Sequence, residues 1–224
     1  MLRIYFFLLL FIGFLPVAES DNQKLPDAEA WLNDDSEFRS LEVSEGELTF
    51  IEPVTDKNTL HSTKELTISK QSLSTGWVKL SQCYFNINPV AATDIVYHYR
   101  KIKSFKITSF KNIGRAEVDG QVIHLHDIAA NASICVTAEI NVIEKPDADI
   151  YVINSGPYHL KFFDGYYPYH VTLTVIYPPD LMKFKQISPS SQPLFNVIAR
   201  SDSLYIDTWF EGVLNVRIEF ENNE

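Results

Sequence analysis

The sequence predicts an all-β protein, an antiparallel β-sandwich (Ig-like or jelly-roll-like) with roughly a dozen short strands that follow an N-terminal signal peptide. Three observations lead to this prediction. Apolar residues recur at every second position from Leu48 onward, the residue types are those that strands favour, and turn signals separate the runs. The clearest run is LNVRIEF (214–220), whose apolar side chains share one face: Leu214, Val216, Ile218 and Phe220.

Similar runs recur along the chain, and Gly, Pro, Asn and Asp mark the turns between them, as at Asp119-Gly120. No strong helix is predicted after the N-terminal signal peptide. The stretch PSSQPLF (189–195) is predicted to be an exposed loop. In chain order the other runs are ELTFI (47–51), ELTIS (65–69), WVKLSQCYFNI (77–87), DIVYHY (94–99), KSFKITSF (103–110), QVIHLHDI (121–128), ASICVTAEINV (132–142), DIYVI (149–153), HVTLTVIY (170–177) and SLYIDTWF (203–210).

Residues 1–20 are predicted to be a secretory signal peptide. Arg3 precedes an apolar run that ends at Leu15, and Pro16 and small residues follow before Ser20, as signal peptidase prefers. The alternative is a retained membrane anchor, but this run has about 12 apolar residues, whereas a spanning helix needs ~20. The sequence therefore predicts cleavage near Ser20 and no transmembrane segment after it.

The rest of the chain divides by composition. Residues 21–45 are predicted to be an acidic, flexible lead-in, because positions 21–60 hold eleven Asp and Glu residues against three Lys and Arg, a net charge of −8. Residues 46–224 are the predicted β-sandwich region, possible as one unit or as two β-units with a boundary near 143–149. The whole chain has a net charge of −10, which makes it a poor candidate for a nucleic-acid-binding protein.

The two cysteines, Cys83 and Cys135, are predicted to form a disulfide in an oxidising compartment. The bond would close a loop of about 53 residues, worth ~4 kcal/mol in the chain-entropy model. The alternative is two unrelated buried thiols. Together with the leader, the predicted disulfide places the protein in the periplasm or outside the cell.

The stretch FFDGYYPYH (162–170) allows two interpretations. Asp164-Gly165 is a strong hairpin signal, because Gly accepts the positive φ of a type I′ turn, and Phe163 would then lie opposite Tyr166. The alternative is a platform for a carbohydrate or a peptide, since exposed tyrosines beside a sheet edge form such surfaces. The ligand-binding candidates are Tyr158, Tyr166, Tyr167 and Tyr169.

A pair of histidines in VIHLHDI raises the hypothesis of a metal site. His124 and His126 share one strand face, and such a pair can supply two of the ligands of a zinc or copper ion. His170 is the candidate for a third ligand. The alternative is two solvated or locally hydrogen-bonded imidazoles.

The segment HYRKIKSFKITSFKNIGR (98–115) has six basic and no acidic residues, a net charge of +6 in an acidic protein. Arg100, Lys103 and Lys106 are its candidate ligand-binding residues. Three interpretations stay open: lysines that protect an edge strand from aggregation, a docking surface for an acidic partner, lipid or glycan, and a pairing surface for the acidic lead-in.

The catalytic motifs G-x-S-x-G, P-loop and G-x-G-x-x-G do not occur in the sequence. We therefore expect an exported, non-catalytic binding or scaffold protein without a cofactor, which acts through β-sheet surfaces as a protein–protein adaptor. The alternatives are a carbohydrate-binding module that uses the aromatics of residues 158–170, and a metal-binding protein built on the histidine pair. The partner, a protein or a glycan, is unknown.

Overall fold

The structure, a computed structural model, describes residues 46–54, 59–162 and 165–223. The predicted signal peptide (1–20) and acidic lead-in (21–45) lie outside the described residues and stay predictions. No helix within the described ranges is long and apolar enough to cross a membrane.

The described chain is nearly all β, with one short helix, α1 (Lys70–Thr75). Its strands are β1 (Thr49–Phe50), β2 (His61–Thr67), β3 (Trp77–Ile87), β4 (Ala92–Val96), β5 (Ile102–Asp119), β6 (Val122–Asn141), β7 (Ile143–Glu144), β8 (Ile150–Tyr158), β9 (Lys161–Phe162), β10 (Gly165–Tyr166), β11 (Tyr169–Ile176), β12 (Met182–Ser188), β13 (Phe195–Ala199), β14 (Ser203–Glu211) and β15 (Leu214–Asn222).

The strands form two main sheets. The larger has nine strands in the order β1-β14-β11-β2-β3-β6-β4, with β13 added on β14 and β5 on β6. The smaller has the order β12-β15-β8-β7, and β9 and β10 form a separate short hairpin. Within the described ranges every pairing is antiparallel except that of β2 with β11. The predicted all-β antiparallel sandwich is thus confirmed.

One hydrophobic core lies between the two sheets. Leu66 and Leu173 of the nine-stranded sheet and Ile153 and Ile218 of the four-stranded sheet are fully buried in the same cluster. The apolar face predicted for 214–220 is this buried face of β15. Burying each such side chain stabilises the fold by ~1.5–3 kcal/mol, so the alternating pattern is what holds the two sheets together.

The predicted disulfide is present. Cys83 on β3 lies directly opposite Cys135 on β6, with a Cα–Cα distance of 4.0 Å and 52 residues of sequence separation. The bond joins neighbouring strands of the nine-stranded sheet, on the face opposite to that of the buried Gln82.

The chain changes sheets at Val142, directly before the segment 143–149. β6 ends at Asn141 in the nine-stranded sheet, and β7 begins at Ile143 in the four-stranded sheet. Both sheets contribute to the same buried cluster, so the described strands on either side of this segment share a core.

The structure differs from the predicted strand lengths at β5 and β6. Two of the predicted runs join into the single strand β6 of 20 residues, and β5 extends to 18 residues. Bulges make this possible, because the pairing of β5 with β6 shifts register at three places. Ser104 takes a positive φ at the first of them, and Asn112 and Asn131 do so at the third.

The sequence predicts no strong helix, and the helix that the described residues contain, α1, is only six residues long. Ser69 caps this helix: its hydroxyl accepts a hydrogen bond from the Ser72 amide, and the Ser72 hydroxyl accepts one from the Ser69 amide. Gly76, with φ of 76°, ends it. The predicted loop 189–195 is wrong at its last residue, because Phe195 begins β13 and is fully buried.

Candidate functional site

The most unusual side chain of the core is a lysine. On β2 the inward positions are Ser62, Lys64 and Leu66, and Lys64 is only 4% exposed. A lysine at such a position is rare unless it is paired, since its charge loses the solvation of water. The surroundings of Lys64 are therefore a candidate binding site.

Lys64 connects the two sheets. Its Nζ donates a hydrogen bond of 2.8 Å to the Ser155 hydroxyl on β8, and that hydroxyl lies 2.6 Å from the Tyr158 hydroxyl. The rings of Tyr99 and Tyr158 lie with their centroids 5.3 and 5.2 Å from the same Nζ. Cation–π contact and one neutral hydrogen bond thus stabilise the ammonium group.

No carboxylate within the described residues forms an ion pair with Lys64. Burial lowers the pKa of Lys64 to about 7, since desolvation disfavours the charged form. An ammonium group has three donors, and the described residues accept one hydrogen bond from it. Within the described part of the chain, Lys64 therefore has donors left for an acceptor that enters from outside.

A cavity of about 320 Å³ leads to this lysine. Lys64 and Gln82 lie at its buried end, and the exposed His98 and His159 lie at its rim. Its walls are rich in tyrosine: Tyr84, Tyr97, Tyr99, Tyr158 and Tyr169.

Burial raises the pKa of all five wall tyrosines, in the case of Tyr169 to about 12. Each phenol is therefore neutral at pH 7 and can donate a hydrogen bond. The Tyr97 hydroxyl is buried and makes no hydrogen bond of good geometry with the described residues, although the Tyr84 hydroxyl is close enough to influence its pKa. The cavity therefore combines aromatic walls with neutral donors and a single lysine.

The rim of the cavity is poor in free negative charge. Asp94 is the one carboxylate among the described lining residues, and its Oδ1 lies 2.7 Å from the Nδ1 of His124. Burial lowers the pKa of His159, and the nearby His98 and Lys161 lower it further. An anionic ligand would meet little repulsion on its way in.

The predicted tyrosine candidates separate into two groups. Tyr158 and Tyr169 are buried and form part of the cavity wall. Tyr166 and Tyr167 are half-buried outside it, and they pack edge to face, Tyr167 against Phe162 at 5.1 Å and Tyr166 against His159 at 6.0 Å. The four rings do not form a common flat platform, so the carbohydrate hypothesis stays a prediction without support from the geometry.

The predicted hairpin is present with a different register. β9 pairs with β10 so that Gly165 lies opposite Phe162 and Tyr166 opposite Lys161. The predicted pairing of Phe163 with Tyr166 is wrong, and Phe163 and Asp164 lie outside the described residues. The Lys161 ammonium lies 5.1 Å from the Tyr166 ring centroid, so a cation–π contact takes the place of the expected aromatic pair.

The histidine candidates do not converge. His124 and His126 share a face of β6, as predicted, but β2 and β3 lie between β6 and the strand that carries His170. Three strand spacings amount to ~14 Å, too far for a common metal ion. No group of three or more His, Cys, Asp or Glu side chains that could hold a metal occurs in the described part of the chain. The metal hypothesis stays a prediction without a third ligand there.

The basic candidates lie on and beside β5. Lys103 pairs with Glu139 at 3.2 Å and lies over the Trp77 ring at 4.4 Å, whereas Arg100 and Lys106 are exposed. No described strand pairs with the outer edge of β5. Edge protection and docking of an acidic partner both fit such an edge, so the adaptor hypothesis stays a prediction.

His170 belongs to a separate cluster on the outer face of the nine-stranded sheet. Its ring stacks between those of His61, at 3.9 Å, and Trp209, at 4.4 Å, and its Nε2 lies 2.8 Å from Asp207 Oδ1. Burial, and then the neighbouring His170, lower the pKa of His61 to about 4, although Asp207 opposes this shift. The His61 imidazole is therefore neutral in the folded protein at pH 5 to 7.

We expect the free energy of unfolding to fall as the pH drops from about 6.5 to 4, since the unfolded chain takes up a proton at His61 before the folded protein does. The contribution of His61 is about 1–2 kcal/mol, reduced by its partial exposure. Urea denaturation at pH 7 and pH 4.5 tests this. His61→Gln should lose less stability between these pH values than the wild type, whereas His126→Gln, the matched control, should not. Equal losses in all three proteins would contradict the assignment.

Sequence reasoning missed the central residue of the site. Lys64 precedes the predicted run 65–69, and its inward direction becomes visible only when the strand is extended back to His61. The signal was the alternation of Ser62, Lys64, Leu66 and Ile68, in which a lysine occupies an apolar position.

Comparison with protein-family models found no match for this chain, and comparison with curated proteins found none either. The functional conclusions therefore rest on the chemistry of the cavity around Lys64.

Proposed function

We propose that this chain is an exported, non-catalytic binding protein that holds a small aromatic molecule with an anionic oxygen, such as an aryl carboxylate, in the cavity between its sheets. The observation that carries the proposal is Lys64, a buried ammonium group with one hydrogen bond and no carboxylate partner among the described residues.

The energetics of Lys64 favour a ligand. A buried charge without an anionic partner costs several kcal/mol, which one neutral hydrogen bond and two cation–π contacts offset only in part. A carboxylate at the Nζ would offset this cost by a charge-assisted hydrogen bond, which is about twice as strong as a neutral one. Binding an anion would therefore supply the ion pair that the described residues do not give Lys64.

The walls of the cavity favour an aromatic body on the ligand. Tyrosine rings present broad apolar faces, and their hydroxyls donate hydrogen bonds to a ring substituent. The volume of about 320 Å³ lies at the lower end of the range for small-molecule sites. A single substituted ring fits this description better than a sugar chain or a peptide.

The disulfide supports an exported protein. Bonds such as Cys83–Cys135 form and persist in the periplasm or outside the cell and are rare in the cytosol. The predicted leader at residues 1–20 points the same way. If the protein is exported, the disulfide-bonded chain should be recovered from a periplasmic fraction or the culture medium. Recovery from the cytosol would contradict export.

We expect benzoate and 4-hydroxybenzoate to bind at pH 7 and benzyl alcohol to bind about 10–100-fold more weakly, because it lacks the charge that strengthens the hydrogen bond to Lys64. Isothermal titration calorimetry measures these affinities. Raising the pH from 7 to 10 should weaken benzoate binding, as Lys64 loses its proton.

Two variants make the test specific. Lys64→Met should abolish the preference for benzoate, and Lys79→Met, which removes an exposed lysine of the neighbouring strand β3, should leave it unchanged. Equal binding of benzoate and benzyl alcohol, or the same preference in the Lys64 variant, would overturn the proposal.

A further inference from the structure

The Lys64 nitrogen has the setting of a reactive amine. It lies at the buried end of an open cavity, and the Ser155 hydroxyl and the rings of Tyr99 and Tyr158 hold it in place. No described carboxylate keeps it in the ammonium form. A lysine that is desolvated in an apolar pocket is the type that forms Schiff bases with carbonyl compounds.

We propose that Lys64 captures small aromatic aldehydes covalently, as an imine at its Nζ, in the cavity between the two sheets. This inference rests on the proposed function in one respect, since it requires the same cavity to admit an aryl ligand. It goes beyond that function because it assigns a covalent reaction and a second ligand class to the site.

The reaction balances without any other reagent. The lone pair of the neutral amine attacks the carbonyl carbon, and one proton of the nitrogen passes to the carbonyl oxygen to give a carbinolamine. The carbinolamine hydroxyl then leaves as water with the second proton of the nitrogen, and the C=N bond forms. One amine and one aldehyde give one imine and one water, with no oxidation or reduction.

The neighbouring groups suit this sequence. The hydroxyls of Ser155 and Tyr158 form a hydrogen-bonded pair next to the nitrogen and can relay the protons of both transfers. Because burial lowers the pKa of Lys64 to about 7, about half of the molecules carry the neutral amine at neutral pH. The aromatic walls hold the aryl ring and limit the access of water, which would hydrolyse the imine.

Reductive trapping tests the inference. The full chain is incubated at pH 7 with benzaldehyde and sodium cyanoborohydride, which converts an imine to a stable benzyl amine, and peptide mass spectrometry locates the modification. We expect Lys64 to be benzylated at least tenfold faster than exposed lysines such as Lys79, because a lysine in water, with a pKa near 10.4, is almost fully protonated at this pH. Benzoate should slow the modification of Lys64 and of no exposed lysine.

Variants separate reactivity from structure. Lys64→Met should remove the fast phase, and Lys79→Met should keep it. Tyr158→Phe should slow the fast phase and leave the folding transition cooperative. If exposed lysines of the folded wild type are benzylated and Lys64 is not, the inference is overturned. This result comes from the wild type alone, so it does not depend on whether any variant folds.

The two proposals fail in different ways. If benzoate binds at Lys64 but no benzyl group appears there, the covalent reaction is refuted and the binding function stands. If Lys64 is benzylated but carboxylates bind no better than alcohols, anion selection is refuted and the aldehyde site stands.

Discussion

Lys64→Met is expected to raise the free energy of unfolding by about 1–4 kcal/mol at pH 7, the range seen when buried ion pairs are replaced by well-packed apolar residues. Methionine has a similar length, adapts its shape to the space available and needs no partner for a charge. The lysine costs stability because burial lowers its pKa to about 7, so the unfolded chain binds the proton more strongly than the folded protein does.

The pH dependence follows from the direction of that shift. Between pH 7 and about 10.5 the unfolded state carries more protons at Lys64 than the folded state, so the wild type gains stability as the pH rises. Lys64→Met lacks this gain. The advantage of the variant should therefore be largest at pH 7 and smaller at pH 9.5, as measured by urea denaturation at both values.

A matched control and a contrary outcome complete the test. Lys79→Met on the exposed face of β3 should change stability by no more than about 0.5 kcal/mol, as surface substitutions usually do. If Lys64→Met is instead less stable than the wild type, the lysine has a strong partner within the folded chain. Its free donors would then no longer support a ligand site.

The sequence predicts the sheets better than the cavity, and the reason is physical. A period of two follows directly from strand geometry, so a run such as 214–220 reveals its buried face without a structure. β5 and β6 continue through a bulge at Asn112 and Asn131, which both take a positive φ. Asparagine is also typical of turns, so the residue type does not tell a bulge from a turn. The parallel pairing of β2 with β11 joins segments about a hundred residues apart, which no local pattern records.

The cavity was only partly predictable for the same reason. Tyr158 and Tyr169 were candidates because of a local concentration of aromatics, and both line the cavity. Tyr84 and Tyr97 come from other strands and loops and meet them only through the packing of the two sheets. To predict Lys64 as a site residue, two properties must be known: its inward position on the strand and the absence of a described carboxylate nearby. The second is a property of the folded molecule.

Removal of the disulfide by Cys83→Ala with Cys135→Ala is expected to lower the free energy of unfolding by about 4 kcal/mol, within a usual range of about 2–5. The bond closes a loop with a sequence separation of 52, so its loss restores conformational freedom chiefly to the unfolded chain. Urea denaturation of the wild type with and without dithiothreitol, and of the double variant, measures the effect. The reduced wild type and the double variant should agree within about 1 kcal/mol, since both lack the same constraint.

The position of the bond separates its effect on stability from an effect on binding. Cys83 lies between Gln82 and Tyr84, which line the cavity, but its own side chain points to the other face of the sheet. Nine further β3–β6 residue pairs flank the bond, so the cavity wall should keep its place while the protein stays folded. We therefore expect benzoate affinity at 10 °C to change less than threefold in the double variant. If the free energy of unfolding falls by less than about 1 kcal/mol, residual pairing of β3 with β6 already constrains the unfolded chain. If the folded variant loses benzoate binding, the bond shapes the cavity itself.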